Sequence, residues 1–356
     1  MPSSADHPGI PQSEVPLLSN RSALTAAIKR AAQQLGFDAI GIATIPAHES
    51  SPQPSQTDRP APPHQASIWY QHLLEKLLSW LTQGFHGTMH WMSRDPERRA
   101  NPTAVLPGCR SIICVGMNYW TDHQPDERPG NGRIARYAWG EDYHRVVTRR
   151  LKRLERMIQT IAPQAQTRSY VDTGPIMEKA WAQQAGLGWI GKHTNLVSPQ
   201  FGSWLVLGEI LTTLELEPDE PATDLCGSCS LCLRACPTQA FPEPYQLDAT
   251  KCLSYLTIEF RGTEENIPAE LRKQIGNHIF GCDDCLDVCP YNVYATPTQE
   301  PAFQPSSLTL SPNLAQLAHL DEETFTMLFR KSPIRRAKFH GFLRNVRLAQ
   351  RASGQK

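Results

Sequence analysis

Cys226-Gly227-Ser228-Cys229-Ser230-Leu231-Cys232-Leu233-Arg234-Ala235-Cys236-Pro237 is followed, after a solitary Cys252, by Cys282-Asp283-Asp284-Cys285-Leu286-Asp287-Val288-Cys289-Pro290. Eight of the ten cysteines in the chain fall in this interval. The first run reads C-x2-C-x2-C-x3-C-P, the bacterial ferredoxin spacing, in which the fourth cysteine ligates the other of two clusters. The second run lacks a local first cysteine, and Cys252 is the natural substitute. The crossover rule then groups Cys226, Cys229, Cys232 and Cys289 around one [4Fe-4S] cluster and Cys236, Cys252, Cys282 and Cys285 around the other. Structural zinc also takes four thiolates, but a run of three cysteines plus Cys-Pro is a poor match to paired C-x2-C knuckles. A disulfide framework belongs to short secreted chains, and this one has 356 residues. Cys109 and Cys114 sit in an apolar, strand-like run and read as small buried hydrophobes.

Outside that interval, about 200 residues precede the cysteines, enough for a second domain or for one large α/β domain carrying an appended cluster module. Formal net charge is zero. No apolar run reaches the roughly 18 residues of a membrane span. The first twenty residues are rich in Pro and Ser and lack the apolar core of a signal peptide. A cytoplasmic chain without membrane contact is therefore expected, with residues 1–20 as a disordered tail and 46–66 as a linker-like loop. Helical spacing is predicted over Leu24–Gly36, Ile68–Leu81, Tyr143–Ala162 and Ile176–Ala185. Strands are predicted over Phe37–Ile45, Ser111–Asn118, Ser169–Val171 and Trp204–Leu211. The alternation of the two favours an α/β (α+β) layer over residues 21–220, before a ferredoxin-like module over 221–295 and a helical basic segment over 296–356.

Three segments of the first domain carry chemistry. Tyr170-Val171-Asp172-Thr173-Gly174-Pro175 places an acid at a strand end before a helix, as a helix cap or as a general acid whose pKa burial would raise. Gly186-Leu187-Gly188-Trp189-Ile190-Gly191-Lys192-His193-Thr194-Asn195 is either a tight turn with packing glycines or a backbone that approaches a ligand closely. It is not a P-loop, since His193 follows Lys192, and no dinucleotide site is assigned to it. Arg136-Tyr137-Ala138-Trp139-Gly140-Glu141-Asp142-Tyr143-His144 contains part of the D-x-H-x-x-G pattern of histidine-ligated cobalamin proteins, but Val147 replaces the glycine. His144 therefore reads as a helix-start histidine and not as a cobalt ligand.

These three segments together with the eight-cysteine module, in collinear order from about Leu24 to Ala349, resemble the epoxyqueuosine reductase family. Lys251 to Glu259 and Gly341-Phe342-Leu343-Arg344-Asn345 extend the match. The resemblance implies a nitroreductase-like domain and a ferredoxin-like double [4Fe-4S] module holding a base-off cobalamin between them. It implies reduction of epoxyqueuosine to queuosine at the wobble position of a tRNA anticodon, the last step of queuosine biosynthesis. Asp172 would be the proton donor. Thr194, Asn195 and Leu196 would present backbone groups to the corrin amides, with Lys192, Asp283, Asp284, Arg136 and Tyr137 as further cofactor contacts. Absence of a histidine ligand would ease reduction of the cobalt.

The RNA partner is visible in charge distribution more than in its sum. No acid follows Glu323, whereas nine Lys and Arg residues do. Arg335, Arg336, Lys338 and Arg344 are the candidate phosphate contacts, with Arg94, Arg98 and Arg99 as a second patch. The chain runs only briefly past this region, so the helical-repeat extension of some family members is not expected. A monomer fed by an unidentified low-potential electron donor is expected. The competing readings are a corrinoid reductive dehalogenase, a ferredoxin-type electron-transfer protein with no catalytic site, and an RNA-binding protein with structural clusters.

Overall fold

The computed structural model describes residues 20–45 and 65–354. The expected tail and almost all of the expected 46–66 loop lie outside the described residues. Eight strands occur among the described residues: β1 (Ala39–Thr44), β2 (Ser111–Asn118), β3 (Arg133–Ile134), β4 (Thr167–Tyr170), β5 (Trp189–Ile190), β6 (Leu196–Val197), β7 (Leu205–Thr212) and β8 (His278–Phe280). Four of them form the main sheet in the order β1-β2-β7-β4, antiparallel at every junction. All eight residues of β2 are buried, because helices cover both faces of the sheet.

Each covering helix follows from its residues. Asn20 accepts the Ser22 N–H and starts the helix Arg21–Gln34, which ends where Gly36 takes φ +82°, a left-handed value that glycine adopts without a Cβ penalty. Asp142 caps Tyr143–Ile161, whose stripe of Val146, Val147, Leu151, Leu154 and Ile158 packs on Ile113, Val115 and Ile210. On the opposite face, Trp181, Ala182 and Ala185 of the helical turn around Glu178–Gln184 meet Ile112, Cys114, Leu207 and Leu211. Cys109 and Cys114 are buried within that second core as expected, and burial pushes the Cys109 thiol up to about 11.

Gly186, Gly188 and Gly191 have G-x-G-x-x-G spacing in the sequence, yet Gly186 ends the helix Glu178–Gln184 at φ +78°, Gly188 leads into the β5–β6 hairpin and Gly191 lies in its turn, with no helix opening after them. Gly188 has φ +159°, and a Cβ there would stand 2.2 Å from the Val197 carbonyl oxygen. A side chain at Gly188 would hold the two strands of the hairpin apart, which is the reason for glycine there.

The carboxy-terminal region does not stand apart. β8 pairs in parallel with β3, and Ile134, Ala138 and Trp139 share one core with Phe280, Leu314, Phe325, Phe329, Phe342 and Val346. The last helix, Lys338–Ala352, thus docks on residues of the sheet-bearing half of the chain, Ile134 to Trp139, as well as on its own carboxy-terminal neighbours. None of the helices among the described residues is long and apolar enough to cross a membrane.

Candidate functional site

The two cysteine runs fold around two separate thiol groups. Cys226, Cys229, Cys232 and Cys289 line one small cavity of ≈ 40 Å³ together with Trp189, Lys192 and Tyr291. Trp189 donates its indole N–H to Cys226 Sγ at 3.3 Å, and Lys192 Nζ donates to the Gly227 and Cys229 carbonyls at 2.6 and 2.8 Å. Lys192, expected at a cofactor edge, lines the cavity of this thiol group and fastens its loop. Burial raises the Cys232 thiol pKa, and repulsion from Cys226, Cys229 and Cys289 adds to it.

The second group is buried more deeply. Burial raises the thiols of Cys252, Cys282 and Cys285; the repulsion that adds to it comes from Cys236 on Cys252, from Cys252 and Cys285 on Cys282, and from Cys252 and Cys236 on Cys285. Cys252 is the N-cap of the helix Leu253–Ile258, and Cys285 lies in the short turn Asp284–Asp287. Mutually repelling buried thiols are a donor set that a cationic centre stabilises by drawing off their protons. Asp284 is spent on bracing this turn, pairing with Arg133 at 2.9 Å and with His278 at 3.3 Å. It is not a lining residue of the larger cavity described next.

That cavity, of ≈ 250 Å³, opens between the sheet domain and the second thiol group. Leu196, Leu205, Val206, Leu207 and Leu286 give it an apolar floor, while Tyr137, Tyr143, Asp172, Glu178, Lys179, Asn195, Ser254 and Asp283 give it polar walls. Cys282 reaches it directly. Asp172 stands half exposed in the loop after β4, with φ +57°, a conformation costly for most residues and better tolerated by Asp. Its amide N–H donates to Glu178 Oε2 at 3.1 Å, and its Oδ2 meets His144 Nε2 at 3.1 Å. His144 Nδ1 lies 2.7 Å from Asp142 Oδ1, and its ring stacks on Tyr143 at 4.1 Å.

Electrostatics places the proton. Burial opposes charging His144, but hydrogen bonds to Asp142 and Asp172 and their charges outweigh it and bring the imidazole to about 9. Burial would raise Asp172, yet His144, Tyr143 and Lys179 hold its carboxyl below the usual range. The upward shift thus falls on His144, in contact with the acid, and the Asp172 carboxyl shifts downward. Asp283 is pushed by burial up to about 6 while its Oδ2 accepts the Arg136 N–H at 2.6 Å.

Several other expectations are redistributed. Tyr137, Asp172, Asn195, Leu196 and Asp283 line the cavity; Arg136 and Thr194 do not. The Arg136 guanidinium is caged by Trp120 and Trp139 at 4.4 and 4.7 Å and donates to the His123 carbonyl, so it is a core cation. Thr194, at φ +67°, offers its carbonyl to Lys179 Nζ. Arg335, Arg336 and Lys338 are exposed, Arg336 gripping Glu259 at 2.7 and 2.8 Å. Arg344 is buried and donates to the carbonyls of Leu256, Phe260 and Gly262, which removes it from any RNA surface.

Glu178, Lys179, Ser254 and Glu209 were missed. Glu209 left one legible signal, a single acid inside the apolar run Trp204–Leu211, since an unpaired acid on a core strand is rare. Glu178 left none, because an acid in the first turn of a helix is ordinary.

Thiol sets of ferredoxin spacing beside an acid-bearing cavity under a helix-covered antiparallel sheet define an iron–sulfur oxidoreductase. Residues 225–292 match the model of the 4Fe-4S double cluster binding domain, and residues 99–173 match that of epoxyqueuosine reductase QueG, DUF1730. The chain is 41% identical to an epoxyqueuosine reductase of Synechococcus sp. (strain CC9605) over 92% of its own length and 94% of that protein's. Against the Escherichia coli (strain K12) enzyme it is 39% identical over 92% and 80%. A crystal structure of an epoxyqueuosine reductase with an epoxyqueuosine-modified tRNA-Tyr stem loop superposes with a TM-score of 0.80 at 29% identity, covering 95% of this chain and 82% of that one. A Bacillus subtilis structure, in which an aspartate-bearing catalytic loop is swung out of the active site, gives 0.79 at 28%, covering 95% and 82%. The chain belongs to the epoxyqueuosine reductase family.

Proposed function

We propose that this protein reduces epoxyqueuosine to queuosine in the anticodon of tRNA, with Asp172 delivering a proton to the oxygen. The observation that carries the reading is that Asp172, loaded by His144, and Cys282 of the second thiol group face the same cavity. Acid and electron source meet there. Cys226, Cys229, Cys232 and Cys289 would hold one [4Fe-4S] cluster and Cys236, Cys252, Cys282 and Cys285 the other, which the thiolate chemistry of both sets fits.

The chemistry of the cavity lining suits a cobalamin on two counts. The floor is apolar, and Ser203 Oγ at its edge is buried without a hydrogen-bond partner, available to an amide side chain of a corrin. Asn195, Leu196 and Asp283 would hold it, with Tyr137 beside them. When bound it would supply a strongly reducing cobalt able to cleave an epoxide C–O bond. Both ring nitrogens of His144 are taken by carboxylates, so the imidazole is not free to ligate the metal.

The residues of the chain handle the proton. His144 holds it at Nε2, Asp172 Oδ2 receives it, and Tyr143 keeps the imidazole in plane by stacking. Protonating the oxygen as negative charge develops on it is general acid catalysis. Arg335, Arg336 and Lys338 would meet tRNA phosphates, and Arg336 is close enough to feel the charge of Asp172. The electron donor would be a one-electron carrier of low potential.

The test is nucleoside analysis of tRNA from cells lacking the protein, where epoxyqueuosine is expected to accumulate; queuosine at normal level would overturn the reading. Asp172→Asn should keep iron and cobalamin content and lose about 10²-fold or more in turnover. Undiminished turnover would leave Asp172 with only its structural bonds to Glu178 and His144, Met177 standing at the N-cap position that the helix-cap reading gave it.

A further inference from the structure

Converting an epoxide to an alkene consumes two electrons and two protons: both C–O bonds break, a C=C bond forms, and oxygen leaves as water. The clusters supply electrons one at a time, and the Asp172–His144 pair stores one proton. A second proton needs a second source at the same cavity.

Glu178 lines that cavity beside Asp172. Its Oε2 accepts the Asp172 amide N–H at 3.1 Å, which leaves Oε1 to carry a proton. Behind it stands Glu209, on β7 opposite Cys114 of β2. Strand alternation sets Glu209 on the same face as Leu207 and Leu211, the face covered by the helix Glu178–Gln184. Glu209 is 2% exposed and its Oε2 has no hydrogen-bond partner.

We propose that Glu178 is the donor of the second proton, passing it to the departing oxygen after Asp172 has delivered the first. This rests on the epoxide-reduction reading of the site. The charged and titratable groups facing Glu178 are Asp172 from its loop, His144 and Tyr143 from the helix Tyr143–Ile161, Lys179 on its own helix, Glu209 from β7 and Cys114 from β2. Burial first and the Asp172 charge second push Glu178 up to about 7, against the opposing charges of Lys179 and His144. Burial, reinforced by Glu178 and Asp172, raises the Glu209 carboxyl well above its ordinary value. An acid with a pKa near the working pH both holds and releases a proton readily.

Glu178→Gln retains an acceptor for the Asp172 amide and has the same shape, so the loop stays placed. The experiment uses the fully reconstituted protein and an epoxyqueuosine-bearing anticodon stem loop. Wild-type turnover should fall as pH rises through about 7. Glu178→Gln should lose about 10²-fold in kcat with KM little changed, and show no limb near neutrality, while Glu178→Asp restores part of the rate. Infrared titration of the same proteins gives a readout independent of turnover: a protonated-carboxyl band that disappears near pH 7 in wild type should be missing in Glu178→Gln, with the Glu209 band still present. A Glu178→Gln variant with wild-type rate and pH profile, or with the neutral-pH band intact, overturns the proposal and leaves the function standing. Failure of wild type on the stem loop sinks both.

Discussion

Asp172 is held at both ends: its amide N–H goes to Glu178 and its carboxylate to His144, and these two bonds offset a left-handed backbone. The pairing has a pH signature. A free histidine titrates near ~6.5, and in the folded chain His144 is raised to about 9. Its contribution to stability is fully present below the unfolded value and is lost as pH rises through about 9. Asp172 is shifted downward, so its share is present above the unfolded value and is lost as pH falls. Both side chains are partly exposed, and solvent screening keeps the effect small. Urea midpoints measured from acid to alkaline pH should decline on the alkaline side in wild type and decline less in His144→Gln. Equal slopes would show that the pair does not store the proton. At this scale the acid was legible, because Val171-Asp172-Thr173-Gly174-Pro175 puts a carboxylate at a strand end. Its partner was not, since His144 lies 28 residues away and the sequence does not show which helix start faces which loop.

Among the elements, the long helices and the central strands were readable from apolar period, and Tyr143–Ile161 begins within a residue of expectation because Asp142 caps it. Strand order was not readable: the β1-β2-β7-β4 arrangement pairs segments nearly a hundred residues apart, and periodicity says which face is buried without saying beside what. The short helix Leu253–Ile258 was quoted only as part of a resemblance, yet much converges on it. Cys252 caps it, Ser254 lines the cavity, the Tyr255 hydroxyl accepts the Thr88 N–H at 2.8 Å, and Glu259 just past its end grips Arg336. Cys252→Ala should therefore remove one cluster, halving iron per chain, while the other cluster keeps its spectroscopic signature. Full iron content in that variant would remove Cys252 from the ligand set.

Across the whole molecule, a zero net charge conceals an acid-free carboxy-terminal stretch, and the structure divides its cations by task. Arg335→Gln and Lys338→Gln should each reduce the salt slope of stem-loop binding by about 1, as expected for the loss of a phosphate contact. Arg344→Gln should leave the slope unchanged and cost roughly 1–3 kcal/mol of stability, because the carbonyls of Leu256, Phe260 and Gly262 lose a buried charged donor. A slope altered by Arg344→Gln and untouched by Arg335→Gln would reverse the assignment. Sequence distinguishes these arginines poorly, since what separates them is which carbonyls the fold brings within reach.

The thiol arrangement constrains how such a chain can be cut or built. Cys289, from the second run, closes the ring begun by Cys226, Cys229 and Cys232, while Cys236, from the first run, lies with Cys252, Cys282 and Cys285. The two rings are stitched through one another. Any fragment ending between residues 240 and 280 has three members of one ring and at most two of the other, so half a module holds no complete ring. Because each ring takes cysteines from both runs, loading either one pins both runs and shortens the search that closes the other.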